Sequence, residues 1–167
     1  MLSLTDLPHE LGRVLTNLLT LEFVLRLFLY ELQKTDSKLH TPMVNLHSLF
    51  IGDWVSEHPL TNYDTLGKLI NRVNAEIKDR GSSQQFDPSV VKLRDAIAHG
   101  RIVSRGPDGP ISLMKFSKPI NGKVEVTLAV LITPDWLEQQ IEHTSSEIQK
   151  VYGIARDLGL TCFRRIR

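Results

Sequence analysis

The chain has little of several residue types, and each shortage excludes a class of protein. Cys162 is the only cysteine, so an internal disulfide and a cysteine-based metal site are both excluded. Aromatic residues are sparse, and no RNP-type aromatic pair for stacking bases is present. The most apolar run, 18–32, is interrupted by Glu22, Arg26 and Glu31. That run is therefore too short and too charged to span a bilayer.

The rest of the composition is ordinary for a globular protein, with a formal charge of +1 that points to no class of partner. A length of 167 residues predicts one domain, 1–167, with a real core. The first residues, MLSLTDLPHE, lack the positive region of a signal peptide. We therefore expect a cytoplasmic protein with no membrane partner, in keeping with its single cysteine.

The segment 87–100, DPSVVKLRDAIAHG, predicts a helix with defined ends. Asp87 suits the N-cap, Pro88 suits the first helical position, and Gly100 suits a C-terminal stop. One face of this helix is apolar, because residues recur there at spacings of three and four: Val90, Leu93 and Ile97.

The other sides of the same helix carry Arg94, Asp95 and His99. Asp95 and His99 are i, i+4 neighbours and can touch. Arg94 lies roughly 140° around the helix axis from His99. One straight helix does not easily aim both side chains at a single point, whereas two helices that cross at a twofold axis can.

Two further helices are predicted before this segment. The first is capped by Thr5 or Asp6 and runs to about Gln33. Its apolar stripe has 4-3 spacing, and a second apolar surface lies beside it, which packs either in the chain's own core or in a dimer interface. The second helix is capped by Thr61 or Asn62 and ends at Gly81. Its apolar face consists of Leu66, Leu69, Ile70, Val73 and Ile77.

After Gly100 the apolar period changes to that of strands, and the segments 101–104, 111–117 and 124–133 predict a small antiparallel sheet. Asn121-Gly122 is a strong tight-turn signal. Thr133 and Pro134 then open a last long helix. The predicted fold class is mainly α: an antiparallel bundle of four main helices, with a β-hairpin or sheet inserted at about 101–132 before the last helix. A basic tail follows at 160–167.

The segment LRDAIAHG resembles the signature of HEPN domains (higher eukaryotes and prokaryotes nucleotide-binding), which is an arginine, a polar residue, a few variable positions and a histidine. Arg94, Asp95 and His99 match that signature. The helix order agrees, since a long apolar helix and a helix with TLGKLI precede the motif and a closing helix follows it. The resemblance implies a single HEPN-like domain over 1–167, folded as a HEPN-like antiparallel helical bundle.

The resemblance also implies a metal-independent endoribonuclease with no cofactor, acting as a homodimer in which two Arg-His helices form one composite site. His99 would be the base that takes the 2′-OH proton, since an imidazole titrates near neutral pH. Arg94 would stabilise charge on the phosphate, and Asp95 would orient the imidazole. The expected product is a 2′,3′-cyclic phosphate. Such domains include toxins and antiviral effectors, so an antitoxin or a defence partner protein is a further expected class of partner beside RNA.

Other interpretations of these residues stay open. His99 at a helix C-terminus is favourable with the helix dipole, and Arg94 can pair with an acid such as Glu22. Some HEPN-like domains are not catalytic and act as dimeric modules that bind RNA, a nucleotide or a partner protein. A tyrosine that one subgroup carries two residues after the histidine is replaced here by Arg101.

A cluster of cations on the predicted hairpin adds a candidate RNA surface. Its members are Arg101, Arg105, Lys115 and Lys118. The alternative is an ordinary solvated surface. Three histidines in the loop between the first two helices, His40, His47 and His58, match no metal-binding spacing, and we interpret them as solvated loop residues.

Overall fold

The computed structural model describes residues 7–36, 45–106 and 109–164, which are mainly helical. Within these ranges the chain forms four α-helices and one three-stranded sheet, which comes just before the last helix in the sequence. Their bounds are α1 Leu7–Asp36, α2 Leu66–Asp79, α3 Ser89–His99, β1 Arg101–Ser104, β2 Ile111–Phe116, β3 Val126–Leu131 and α4 Pro134–Asp157, with short 3₁₀ helices at Leu46–Ser48 and Thr161–Arg164. The prediction of a mainly helical chain with a small antiparallel sheet before the last helix is confirmed. The predicted caps Thr5 and Asp6, His40 and the tail residues 165–167 lie outside the described ranges.

The chain divides into two compact units. The first unit comprises Met1–Leu21 and Asp87–Ile148, and the second comprises Glu22–Phe86 and Gln149–Arg167. None of the helices in the described ranges combines the length and the apolar character that crossing a membrane requires.

The first unit contains α3, the sheet, the start of α1 and the start of α4. Asn17 on α1 donates its side-chain amide to the hydroxyls of Thr144 and Ser145 on α4, at 3.1 and 3.0 Å. Thr144 is fully buried, so this polar contact satisfies a group that burial would otherwise leave without a partner. Apolar residues of α1, α3, β2 and α4 form the core of the unit together with Ile132, just after β3: Val14, Leu18, Val90, Leu93, Leu113 and Leu137. Strands β1 and β3 contribute no buried residue.

The predicted start of α3 is one residue too early: Ser89 is its first residue, and Pro88, not Asp87, is its N-cap. The Asp87 carboxylate accepts hydrogen bonds from the backbone N–H of Ser89 at 2.8 Å and from its hydroxyl at 2.6 Å. The predicted apolar face is correct at Val90 and Leu93 and wrong at its third member. Ala96 is fully buried and Ile97 only half-buried, so the buried side of the helix runs through positions 90, 93 and 96.

The sheet has the order β1-β2-β3, with both pairs antiparallel. Asn121 and Gly122 have φ values of +51° and +74°, so the predicted tight turn is confirmed with both central residues left-handed. The start of α4 is confirmed as well. The Thr133 hydroxyl accepts a hydrogen bond from the backbone N–H of Trp136 at 3.1 Å, and Pro134 is the first helical residue.

The second unit contains α2, the end of α1 and the end of α4. Every residue of the predicted α2 face is buried. The predicted cap at Thr61 or Asn62 is wrong, since α2 begins at Leu66 and Thr65 caps it. The end at Gly81 is confirmed: its φ is +81°, and its N–H and that of Ser82 bond back to the last turn.

Arg26 explains why α2 starts later than predicted. Its half-buried guanidinium donates to the carbonyls of Pro59, Asn62 and Asp64, at 3.1, 3.0 and 2.5 Å, and pairs with Glu22 at 2.9 Å. These bonds tie the backbone carbonyls of residues 59–64 to α1, and the chain turns at 58–62, so this segment does not join the helix.

The second apolar surface of α1 is buried at Val24, Leu27 and Leu29, but Leu15 and Leu19 are exposed. Residues 45–57 are exposed throughout. Phe50 and Trp54 flank a turn within that loop, with Trp54 98% exposed. The turn is closed by a hydrogen bond of 2.8 Å from the Phe50 N–H to the Asp53 carboxylate.

Candidate functional site

Helix α3 presents the three motif residues at the surface of the first unit. The side chains of Arg94 and Asp95 are 41% and 40% exposed, and His99, the last residue of the helix, is exposed. All three are therefore accessible from solvent, while Val90, Leu93 and Ala96 fix the opposite side of the helix in the core.

Asp95 contacts two cations. One carboxylate oxygen lies 3.6 Å from the Arg94 guanidinium, and the other lies 3.5 Å from the Lys115 ammonium on β2. Exposed pairs at such distances contribute little to stability, about 0–1 kcal/mol. Their effect is local: two cations lie beside one carboxylate, which leaves a net positive patch on this side of α3.

The predicted contact between Asp95 and His99 is not formed. Among the described residues no hydrogen bond or ion pair joins their side chains, and the carboxylate faces Arg94 and Lys115 instead. Glu22, the acid suggested as a partner for Arg94, pairs with Arg26 instead. Arg94 and His99 thus lie on one helix without a direct link to each other.

The end of α3 is set by close packing. Gly100 has a φ of −77°, an ordinary value for any residue, so the left-handed conformation common at helix ends does not explain the glycine. A Cβ at this position would lie 2.2 Å from the Ala96 carbonyl oxygen, 2.8 Å from a Leu113 methyl and 3.0 Å from the Met114 carbonyl oxygen. The absence of a side chain therefore lets α3 end directly against β2, which fixes where His99 lies.

The four cations of the predicted hairpin cluster do not form one surface in the structure. Side chains alternate along β2, so Lys115 lies on the face with the buried Leu113 and reaches α3. Arg101 lies on the opposite face, where it pairs in register with Met114 and its guanidinium lies 5.1 Å from the centre of the Phe116 ring. Arg105 lines a groove of about 450 Å³ on that same outer face, and Lys118 is exposed beyond the end of β2.

No group of three His, Cys, Asp or Glu side chains within the described ranges is arranged to hold a metal ion. His47 is exposed. His58 is half-buried, and its Nδ1 accepts a hydrogen bond of 3.2 Å from the N–H of Leu60, which gives it a role in the turn. Cys162 is half-buried, and burial together with the nearby Glu31 carboxylate raises the pKa of its thiol to about 12, as expected for an inert cysteine.

Sequence reasoning missed that Lys115 belongs with α3. The two contacting residues, Asp95 and Lys115, are 20 positions apart, and no local pattern connects them. The period-two alternation of β2 would have placed Lys115 on the same face as the apolar residues Ile111 and Leu113, and this was the one available signal. Comparisons with protein-family models, curated proteins and solved structures give no match for this chain.

Proposed function

We propose that the chain is a HEPN-like, metal-independent endoribonuclease that acts as a homodimer with a composite site built from two copies of α3. His99 takes the proton of the RNA 2′-OH, and Arg94 stabilises the charge that grows on the phosphate. The 2′-oxygen bonds to phosphorus as the P–O5′ bond breaks, and the leaving 5′-oxygen takes a proton from the imidazolium or from water. The products are a 2′,3′-cyclic phosphate and a free 5′-OH. A toxin or an antiviral effector is the biological role we attach to this activity.

The accessibility of the two motif residues supports this proposal. His99 is exposed and has no hydrogen bond or ion pair with any described residue, and Arg94 has only the 3.6 Å contact to Asp95. His143 and Arg26, by contrast, have partners, His143 in Asp87 at 3.2 Å and Arg26 in Glu22 at 2.9 Å. Arg94 and His99 instead remain free to contact a substrate.

Asp95 has a different role in this proposal from the one that the sequence suggests. It lies between Arg94 and Lys115 and faces away from His99. In the proposal it is a positioning residue that holds the Lys115 ammonium beside the guanidinium, so that two cations meet one phosphodiester. The imidazole of His99 then depends on the substrate or on the second subunit for its orientation.

Cleavage of RNA in EDTA tests the proposal. We expect the wild type to cut, and the variants Arg94→Ala and His99→Ala to lose activity by roughly 100-fold or more, the usual contribution of an acid–base or charge-stabilising group. The variants His47→Ala and Arg13→Ala are matched controls, because both residues are exposed and lie on other elements. Intact RNA with the wild type, or equal cutting by the motif variants and the controls, would contradict the nuclease assignment, and cutting that EDTA abolishes would point to a metal.

The composite site has its own test. If the histidine of one subunit works with the arginine of the other, mixing Arg94→Ala with His99→Ala restores part of the activity that each variant lacks alone. A sedimentation measurement at micromolar protein establishes in parallel whether a dimer exists. A monomer that still cuts RNA would refute the shared site and leave the nuclease activity standing.

A second function is favoured by one observation. Asp95 pairs with Arg94 and Lys115 and does not orient His99, an arrangement suited to binding a phosphate without reacting with it. The alternative is therefore a non-catalytic HEPN-like dimer that binds RNA, a nucleotide or a partner protein. Salt-dependent binding of labelled RNA that Lys115→Ala weakens, with no cutting by any form of the protein, would favour it.

A further inference from the structure

The loop 45–57 carries a group of exposed apolar side chains. Trp54 is 98% exposed, Phe50 is 79% exposed and Ile51 is fully exposed. Three more large apolar residues of the loop are exposed as well: Leu46, Leu49 and Val55. Single exposed apolar residues are normal, whereas a patch of several large ones marks an interaction surface. The loop is therefore a candidate contact surface.

Hydrogen bonds within the loop fix the conformation of its tip. The Asp53 N–H donates to the Phe50 carbonyl at 3.1 Å, and the Phe50 N–H donates to the Asp53 carboxylate at 2.8 Å. Gly52 has a φ of +101°, which a residue with a side chain adopts only with strain. A segment that is already ordered loses little conformational entropy when it binds. The turn thus presents Phe50 and Trp54 as preorganised anchors.

The charge of the loop limits the kind of partner. Residues 45–57 contain two carboxylates, Asp53 and Glu57, and no lysine or arginine. Segments that bind the surface of a membrane usually carry cations, and nucleic acids require them. An apolar loop with carboxylates instead fits an apolar groove in a protein that has cations beside it.

A groove with these properties lies on the outer face of the sheet. Its volume is about 450 Å³, and Arg105 contributes to its lining. Arg101 lies next to Met114 on the same face. The lining is otherwise mostly apolar, with Val103, Pro110, Met114, Ala129 and Leu131. Among the described residues no carboxylate lines the groove, so it is apolar and positively charged.

We propose that the loop 45–57 of one copy of the chain docks into this groove on a second copy. Trp54 and Phe50 fill the groove, and the two carboxylates of the loop face the two guanidinium groups of the outer face. Aromatic residues, methionine and arginine are the types enriched in protein–protein interfaces. The loop supplies the aromatic residues, and the outer face supplies Met114 and the arginines.

Complementarity of charge and polarity selects a second copy as the occupant. The loop is apolar and acidic, and the groove is apolar and basic. Opposite charges on two surfaces align them as they meet and exclude other partners. Every copy of the chain carries both surfaces, so each loop has a matching groove at its own concentration. Because loop and groove are different surfaces, the contact is heterologous.

The fluorescence of Trp54 tests the contact. Trp136→Phe leaves Trp54 as the only tryptophan of the chain. We expect its emission to move to shorter wavelength as the protein concentration rises from roughly 1 to 200 µM, a range suited to a small contact. Leu131→Asp, at a groove residue that is 51% exposed, should abolish the shift. Leu19→Asp, at a residue of α1 that is 60% exposed, is the matched control and should keep it.

Three results of this experiment would overturn the proposal. The first is an emission that stays that of a hydrated indole at every concentration. The second is a short-wavelength emission that neither dilution nor Leu131→Asp changes, which would show that the loop is covered within its own chain. The third is a shift that appears only when phosphatidylcholine vesicles are added, which would assign the loop to a lipid surface.

Mixing two variants shows that loop and groove belong to different copies. The first, Trp136→Phe with Leu131→Asp, keeps the loop and loses the groove. The second, Trp136→Phe with Trp54→Ala, keeps the groove and does not fluoresce as a tryptophan protein. Adding the second to the first should restore the shift of Trp54, which neither protein can give alone. An unrestored shift, although each variant folds as judged by circular dichroism, would refute the contact.

The charge of the groove has a separate control. Arg105→Glu in the added protein should raise the Kd of this mixture by roughly three- to tenfold, because it opposes like charges at an exposed contact. Arg13→Glu makes the same change at an exposed arginine of α1 and should leave the Kd unchanged. Equal effects of the two variants would remove the role of charge and, with it, the argument for a second copy.

This contact does not depend on RNA cleavage. A protein that shows the shift of Trp54 and leaves RNA intact supports the contact and refutes the nuclease. A protein that cuts RNA and shows no shift at any concentration does the opposite.

Discussion

The glycine at the end of α3 supports a quantitative prediction. In Gly100→Ala the new methyl group would meet the Ala96 carbonyl oxygen at 2.2 Å and the Met114 carbonyl oxygen at 3.0 Å. Both are backbone atoms, so neither can rotate away. The last turn of α3 must distort to relieve the first contact, and α3 must separate from β2 to relieve the second. Overpacking of this kind costs about 1–3 kcal/mol. Because φ at Gly100 is ordinary, alanine can adopt it. Alanine also reduces the entropy of the unfolded chain, which offsets about 0.4–1 kcal/mol of that cost. The expected net loss is about 1–2 kcal/mol of unfolding free energy.

Urea unfolding followed by circular dichroism measures this loss, with Gly12→Ala as the control. Gly12 is exposed within α1, and a Cβ there would meet nothing within 4 Å. The same covalent change should therefore stabilise the protein by about 0.5–1 kcal/mol at Gly12. The melting temperatures of the two variants should differ by roughly 3–12 °C, at about 2–4 °C per kcal/mol for a chain of this size. Equal stabilities of the two variants, or a Gly100→Ala protein as stable as the wild type, would refute the close-packing argument.

Two other perturbations have defined outcomes. Arg26→Met leaves the carbonyls of the 59–64 segment without their donor and should lower the unfolding free energy by about 2–3 kcal/mol. The control, Arg13→Met at an exposed ion pair, should change it by no more than about 1 kcal/mol. Equal effects of the two variants in a denaturant titration would show that the Arg26 bonds are dispensable. Because the pKa of Cys162 is raised in the folded state from 9.0 to about 12, its thiol should react with iodoacetamide at pH 8 far more slowly in the native protein than in urea. Its contribution to stability should be complete below pH 9 and be lost as the pH rises towards 12. A native thiol that reacts as fast as the unfolded one would contradict this.

Local patterns predicted those parts of the fold that depend on local physics. The apolar face of α2, the Thr133-Pro134 start of α4 and the Asn121-Gly122 turn all follow from residues within a few positions of one another. The errors have long-range causes. The predicted start of α2 is too early because Arg26, far away in the sequence, binds the carbonyls of the preceding segment and keeps it out of the helix.

In the candidate site, too, the features with local causes were predictable and those with long-range causes were not. The accessible positions of Arg94, Asp95 and His99 follow from helical periodicity, which the sequence contains. The partner of Asp95 does not, because Lys115 reaches it only once β2 has packed against α3. Gly100 was recognised as a stop, yet its reason, contact with the backbone of β2, belongs to the folded structure.

The exposed loop around Trp54 has a consequence for spectroscopy. The chain has two tryptophans, and they belong to different compact units: Trp54 to the second unit and Trp136, half-buried in the first turn of α4, to the first. Since Trp54 is 98% exposed in the folded protein, its emission already has the wavelength of a hydrated indole. A change in tryptophan fluorescence on unfolding therefore reports on Trp136, and so on the unit that contains α3, β3 and the motif residues.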